Sequence, residues 1–133
     1  LDLPLAHYDI AAAVVTGTII EQDTEFQLST FEFNGGQLFL PSTAYQIGQS
    51  VRLRVQAKDV SLSIDSPGKS SILNSIQAKV VAMSDSGDGQ VLVELDAKGT
   101  HLLSRITRKS VSVLGLEPGK VVYAQVKGIA VTE

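Results

Sequence analysis

Apolar residues recur at every second position along much of the chain, and many are β-branched, so the pattern predicts strands. Val51, Leu53, Val55 and Ala57 alternate with Arg52, Arg54, Gln56 and Lys58, which predicts one buried face and one wet face. The phase then slips by one position, since Val60, Leu62 and Ile64 continue the apolar series. A slip that leaves both stretches amphipathic predicts a β-bulge or a sharp bend, as where strands turn corners in small barrels. The end of the chain repeats the device. Val122, Ala124 and Val126 keep one phase and Ile129 and Val131 the other, with Lys127-Gly128 at the break.

The repetition extends further. Thr16 to Asp23 and Ala78 to Asp85 read as the same opening strand at an offset of about 62 residues. Strand pairs joined by glycine turns follow, around Asn34-Gly35-Gly36 in one copy and Lys98-Gly99 in the other. Each copy closes on a glycine turn and a long alternating strand, Gly48-Gln49-Ser50-Val51 against Gly119-Lys120-Val121-Val122, where the offset has grown to about 71. The expected fold is all-β, with two small Greek-key barrel modules in tandem. Residues 1–66 form the first, including an entry segment over 1–12, and residues 67–133 form the second. Asp65-Ser66-Pro67-Gly68-Lys69-Ser70 has turn chemistry and no apolar phase, and reads as the linker. Modules this small have marginal cores, so they should pack on one another or on a second copy. The extra residues of the second module contain one short helix, with Thr107 suited to cap its start, Val111 and Leu114 on one face, and Gly115 suited to end it.

Composition removes several classes of chemistry. The absence of cysteine excludes disulfides, thiolate catalysis and sulfur-ligated metals, and two histidines far apart in sequence, His7 and His101, do not suggest a metal centre. No apolar run approaches the roughly 20 residues that span a bilayer, and the chain starts at Leu1 with no leader pattern, so it reads as a cytosolic piece of something longer. Carboxylates are scattered without an acid–base pair, and no nucleophile motif occurs, so an independent enzyme is not expected. The glycine stretches lack the Lys-Ser/Thr of a phosphate loop and read as hairpin turns.

A net charge of −3 argues against nucleic acid as a partner. It also conceals an asymmetry: residues 1–68 carry three basic against eight acidic side chains, and residues 69–133 eight against six. The second half is the better place for an anion. Tetrahedral oxyanions are held by hydroxyls, backbone N–H groups and one or two cations. Ser70-Ser71, Thr107, Ser110, Lys127 and Gly128 supply that inventory. The alternative also stands: Thr107 only caps the helix, Ser110 only completes its first turn, and Lys127 is a solvated strand residue.

With these residues in view the sequence resembles a known family. Ser70-Ser71-Ile72-Leu73-Asn74, Ile106-Thr107-Arg108-Lys109-Ser110, Leu114-Gly115-Leu116-Glu117-Pro118-Gly119 and Ala124-Gln125-Val126-Lys127-Gly128 are together similar to the Mop domain, a small molybdate- and tungstate-binding fold. The stretch from Gly48 to Val60 is similar to the OB-like transport-associated region of importer ATPases, and Arg54 to Leu62 followed by Ser70 to Asn74 resembles the accessory region of molybdate ABC-transporter ATP-binding subunits. The resemblance implies oxyanion sites between Mop folds, with Ser71, Thr107, Ser110, Lys127 and Gly128 as ligands and molybdate or tungstate as the bound anion. Leu73 occupies the position of the family's arginine. It further implies a regulatory or dimerisation domain whose partners are a second copy, its own nucleotide-binding domain and the transporter's membrane subunit, at the cytoplasmic side of the inner membrane. The full-length subunit would be the ATPase. Two other readings remain open: a purely structural pairing module, and a free-standing carrier of the anion.

Overall fold

The computed structural model describes residues 11–132, so most of the expected entry segment and His7 lie outside the described residues. Ala12, placed at the end of that segment by its sequence, already pairs with Gln56 in the first strand.

Among the described residues, ten strands form two five-stranded antiparallel sheets, in agreement with the all-β expectation. The first half supplies β1 (Ala12–Asp23), β2 (Leu28–Phe33), β3 (Gly36–Leu40), β4 (Ser50–Gln56) and β5 (Val60–Ser63). The second supplies β6 (Asn74–Gly87), β7 (Gln90–Ala97), β8 (Thr100–Thr107), β9 (Val121–Val126) and β10 (Ala130–Thr132), with one helix, α1 (Arg108–Leu114), between β8 and β9. One sheet runs β10-β4-β1-β2-β3 and the other β5-β9-β6-β7-β8. Advancing every strand of one half by five gives the other, so the repeat read from the sequence is a repeat of topology.

The last strand of each half belongs to the other sheet. Val60 to Ser63 pair with β9 from Val126 to Tyr123, and Ala130 to Thr132 pair with β4 from Arg54 to Arg52. Both changes of sheet coincide with the phase slips. A 3-10 turn at Ala57–Asp59 carries the chain from β4 to β5, and residues 127–129 carry it from β9 to β10. In β5 the new phase keeps Val60 buried against the core, whereas in β10 Val131 is 40% exposed, so there the slip marks the crossover without burying the strand. The expected bulge or bend is thus a crossover in each case. The crossovers touch, the Lys127 N–H donating to the Asp59 carbonyl at 2.9 Å.

The repeat persists at the level of single hydrogen bonds. Ile19 N–H donates to Gln49 O (2.9 Å) and Gly48 N–H to Ile19 O (2.7 Å); Val80 N–H donates to Lys120 O (2.8 Å) and Gly119 N–H to Val80 O (2.7 Å). Both opening strands shift register just beyond, between Ile19 and Glu21 and between Val80 and Ala82. Gly48 and Gly119 have φ of 91° and 96°, a backbone that side-chain-bearing residues rarely adopt, which explains a glycine at both closing turns.

The interior is largely one continuous apolar cluster drawn from both sheets, including Val15, Ile19, Phe31 and Leu53 of the first and Val80, Val93, Leu95 and Val122 of the second. Close approach makes the join. A Cβ on Gly35 would lie 2.4 Å from the Ala97 carbonyl oxygen, and the Asn34 amide donates to Lys98 O at 3.1 Å, so the β2–β3 and β7–β8 turns pack on each other. The buried Ser104 hydroxyl donates to Val60 O at 2.6 Å, tying β8 to the exchanged strand.

Candidate functional site

The chain between the halves returns along the first sheet. Asn74, at the start of β6, accepts from the Phe39 N–H at 2.7 Å and donates to the Phe39 carbonyl at 3.1 Å. Its amide thus satisfies the outer edge of β3 as a neighbouring strand would. This clamp positions residues 71–74 over a pocket of about 300 Å³ that draws on both halves, walled by Leu28, Phe39, Pro41, Ile72, Leu73 and Val126. Ser71 and Lys127 line the same pocket, so two of the five expected ligands meet although 56 positions separate them in sequence (127 − 71). Lys127 is exposed, and among the described residues it forms no ion pair. Leu73 is 58% exposed on the pocket wall.

Thr107 and Ser110 are together, but elsewhere. Thr107 caps α1: its hydroxyl oxygen accepts from the Ser110 N–H at 3.0 Å and its proton goes to the Ser110 hydroxyl at 3.0 Å. Gly115 ends the helix in the left-handed region (φ 61°), while Val111 and Leu114 pack against the core, as their spacing predicts. Thr107 pairs with Gln90, which pairs with Gly87 at the far end of β6, whereas Lys127 follows Val126, the partner of Asn74 at its near end. A straight strand of this length spans on the order of 40 Å, reduced here by two bulges. Within one molecule the two groups cannot share a small anion.

Gly128 faces a third direction. A Cβ there would lie 3.0 Å from the Asp59 carboxylate, in a groove of about 260 Å³ shared with Arg54, Gln56, Ile129 and Ala130. A side chain there would have to displace the end of the Asp59 side chain at the crossover. Sequence reasoning missed Asp59 in this position and Leu28, Phe39 and Pro41 as pocket walls. Their roles arise only when the two halves pack, and no local pattern encodes that.

Two OB-like halves that exchange their last strands define an accessory domain of the transport-associated class. Accordingly, residues 70–132 match the TOBE domain family. Across nearly its whole length the chain is similar to molybdenum import ATP-binding proteins named ModC: 45% identical over 131 residues to that of Albidiferax ferrireducens, covering 98% of the chain and 36% of the relative, and 44% identical over 130 residues to that of Aromatoleum aromaticum, covering 98% and 34%. Azotobacter vinelandii ModC 2 is 42% identical over 132 residues. The chain belongs to this family as its TOBE-containing accessory region, and spans about a third of the length of these relatives. Among solved structures it is similar to the cytoplasmic molybdate-binding protein ModG with molybdate bound, at a TM-score of 0.75 and 25% identity, over 89% of this chain and 93% of that one.

Proposed function

We propose that this chain is the regulatory and pairing domain of a molybdate- or tungstate-importing ATPase subunit, and that it senses the oxyanion at sites shared between two copies. Ser71 and Lys127 of one copy would face Thr107 and Ser110 of another, with the Gly128 N–H alongside. The observation that carries the reading is the division of the ligand set between the ends of β6, in a chain whose fold is like that of a molybdate-bound protein. Each half-site is too poor in donors to replace the hydration of a dianion, whereas the two together offer three hydroxyls and an ammonium. In this proposal the modules over 1–66 and 67–133 exchange their last strands and act as one unit beside the nucleotide-binding domain, which works with the membrane subunit at the cytoplasmic face of the inner membrane. The bound anion would favour one arrangement of the paired subunits, which requires its affinity to differ between arrangements.

A second reading is favoured by Leu73. With an isobutyl group where a guanidinium fork would reach the anion, the site would be inactive and the domain would serve pairing alone. Calorimetric titration of the paired protein with molybdate, tungstate and sulfate separates the two. Saturable heat with molybdate or tungstate supports sensing; no heat at millimolar anion sinks it.

A further inference from the structure

The chain holds two asparagines, and the fold treats them oppositely. Asn74 stands in β6, where its amide both accepts from and donates to the Phe39 backbone, and the next residue, Ser75, pairs with Gln125. Asn34 stands exposed in the β2–β3 turn and is followed by Gly35. The ladder of that hairpin ends at the pair Phe33–Gly36, so Gly35 lies outside it, and among the described residues its N–H meets no acceptor. Water reaches the turn through an open groove of about 570 Å³ lined by Glu32, Phe33, Asn34, Gly36 and Gln37. An exposed carboxamide is thus followed by a backbone nitrogen that has no hydrogen bond and no side chain to crowd its approach. The packing of the halves fixes both residue types. The Asn34 amide donates to Lys98 O at 3.1 Å, and a Cβ on Gly35 would lie 2.4 Å from Ala97 O. The contact that joins the halves therefore calls for the dipeptide that loses its side-chain amide most readily.

We propose that Asn34 is a site of spontaneous deamidation, and that the product loosens the joint between the two halves. Solvent base takes the Gly35 N–H proton, the nitrogen bonds to Asn34 Cγ, and the Cγ–Nδ2 bond breaks with departure of ammonia. The five-membered imide then adds water across one of its two carbonyl–nitrogen bonds. This leaves aspartate or, with the main chain rerouted through the side chain, isoaspartate. Nothing is oxidised or reduced, and water is the one reactant consumed. Either product removes the donor to Lys98 O and sets a carboxylate oxygen against a carbonyl oxygen. Isoaspartate also lengthens the turn by one main-chain atom, where Gly35 has no room against Ala97. Asn34 belongs to neither half of the proposed anion site, so the modification acts on the union of the modules and not on the ligands.

Ageing the 133-residue chain at about pH 8 and about 37 °C for roughly two weeks, followed by peptide mapping in a mass spectrometer, tests this. The expected result is a mass gain of about 1 Da at Asn34 and not at Asn74, faster as hydroxide rises. Asn34→Gln, whose longer side chain closes a ring far less readily, abolishes the gain. The modified fraction, separable by its added negative charge, melts roughly 4–8 °C below the unmodified chain, and so does Asn34→Asp. An Asn34 that gains mass no faster than Asn74 would overturn the site. A modified fraction or an Asn34→Asp chain that melts with the unmodified protein would overturn the loosening.

Discussion

Truncating Phe31 to alanine should weaken both sheets together, although the ring belongs to the first. Phe31 has no exposed surface, lies over Gly17, where a Cβ would come within 2.5 Å of the ring, and sits 6.0 Å from the Phe33 ring. Removing a phenyl group from such a site costs about 3–5 kcal/mol, because the transfer term is joined by a cavity. The cavity does not collapse easily here, since β1 and β2 are paired around it, Thr18 with Glu32 and Ile19 with Phe31. For a chain of this size each kcal/mol shifts the midpoint by roughly 4 °C, so the melting temperature should fall by roughly 12–20 °C. The reasoning extends to the distant sheet, since the halves share a continuous core and each sheet is completed by a strand from the other. Native-state hydrogen exchange followed by NMR should therefore show amides such as Val93 and Val122 losing protection alongside those of Val15 and Leu53. Wild-type protection in the second sheet, with loss confined to the first, would refute the single cooperative unit.

Three smaller perturbations probe the local geometry. Asn74→Ala removes both hydrogen bonds to Phe39 and should lower stability by about 1–2 kcal/mol in urea titrations, while Asn74→Asp, which keeps the acceptor, should lose less. Thr107→Ala should cost about 1 kcal/mol through loss of the helix cap, with Thr107→Ser close to wild type in the same assay. Gly128→Val should destabilise by about 1–3 kcal/mol as its side chain displaces the Asp59 carboxylate, and Asp59→Ala in the same chain should recover part of the loss in thermal melts.

The alternating strands, the glycine turns and the capped helix were legible because each is written in neighbouring residues, such as Thr107 and Gly115 around Val111. The internal repeat was legible because Gly48 and Gly119 answer the same backbone demand. The strand exchange was half legible: the phase slips after Ala57 and Val126 marked both crossovers, yet period-two alternation is blind to which sheet receives the next strand. The pocket was less legible still. Ser71 and Lys127 stood out by their donor chemistry and by family resemblance, while Leu28, Phe39 and Pro41 become its walls only when the first sheet packs against residues 71–74. Nor does sequence spacing separate Lys127 from Thr107, 20 residues apart (127 − 107), by the length of β6.

The division of the oxyanion ligands between two copies can be tested by complementation. Lys127→Ala and Thr107→Ala/Ser110→Ala are prepared as separate variants, and each should give no heat with molybdate. Unfolded together and refolded at equal ratio, half the pairs become mixed, and each mixed pair regains one intact site, so binding should return at about a quarter of the wild-type site number. A mixture as inert as its components, or a single variant that binds like the wild type, would contradict the shared site.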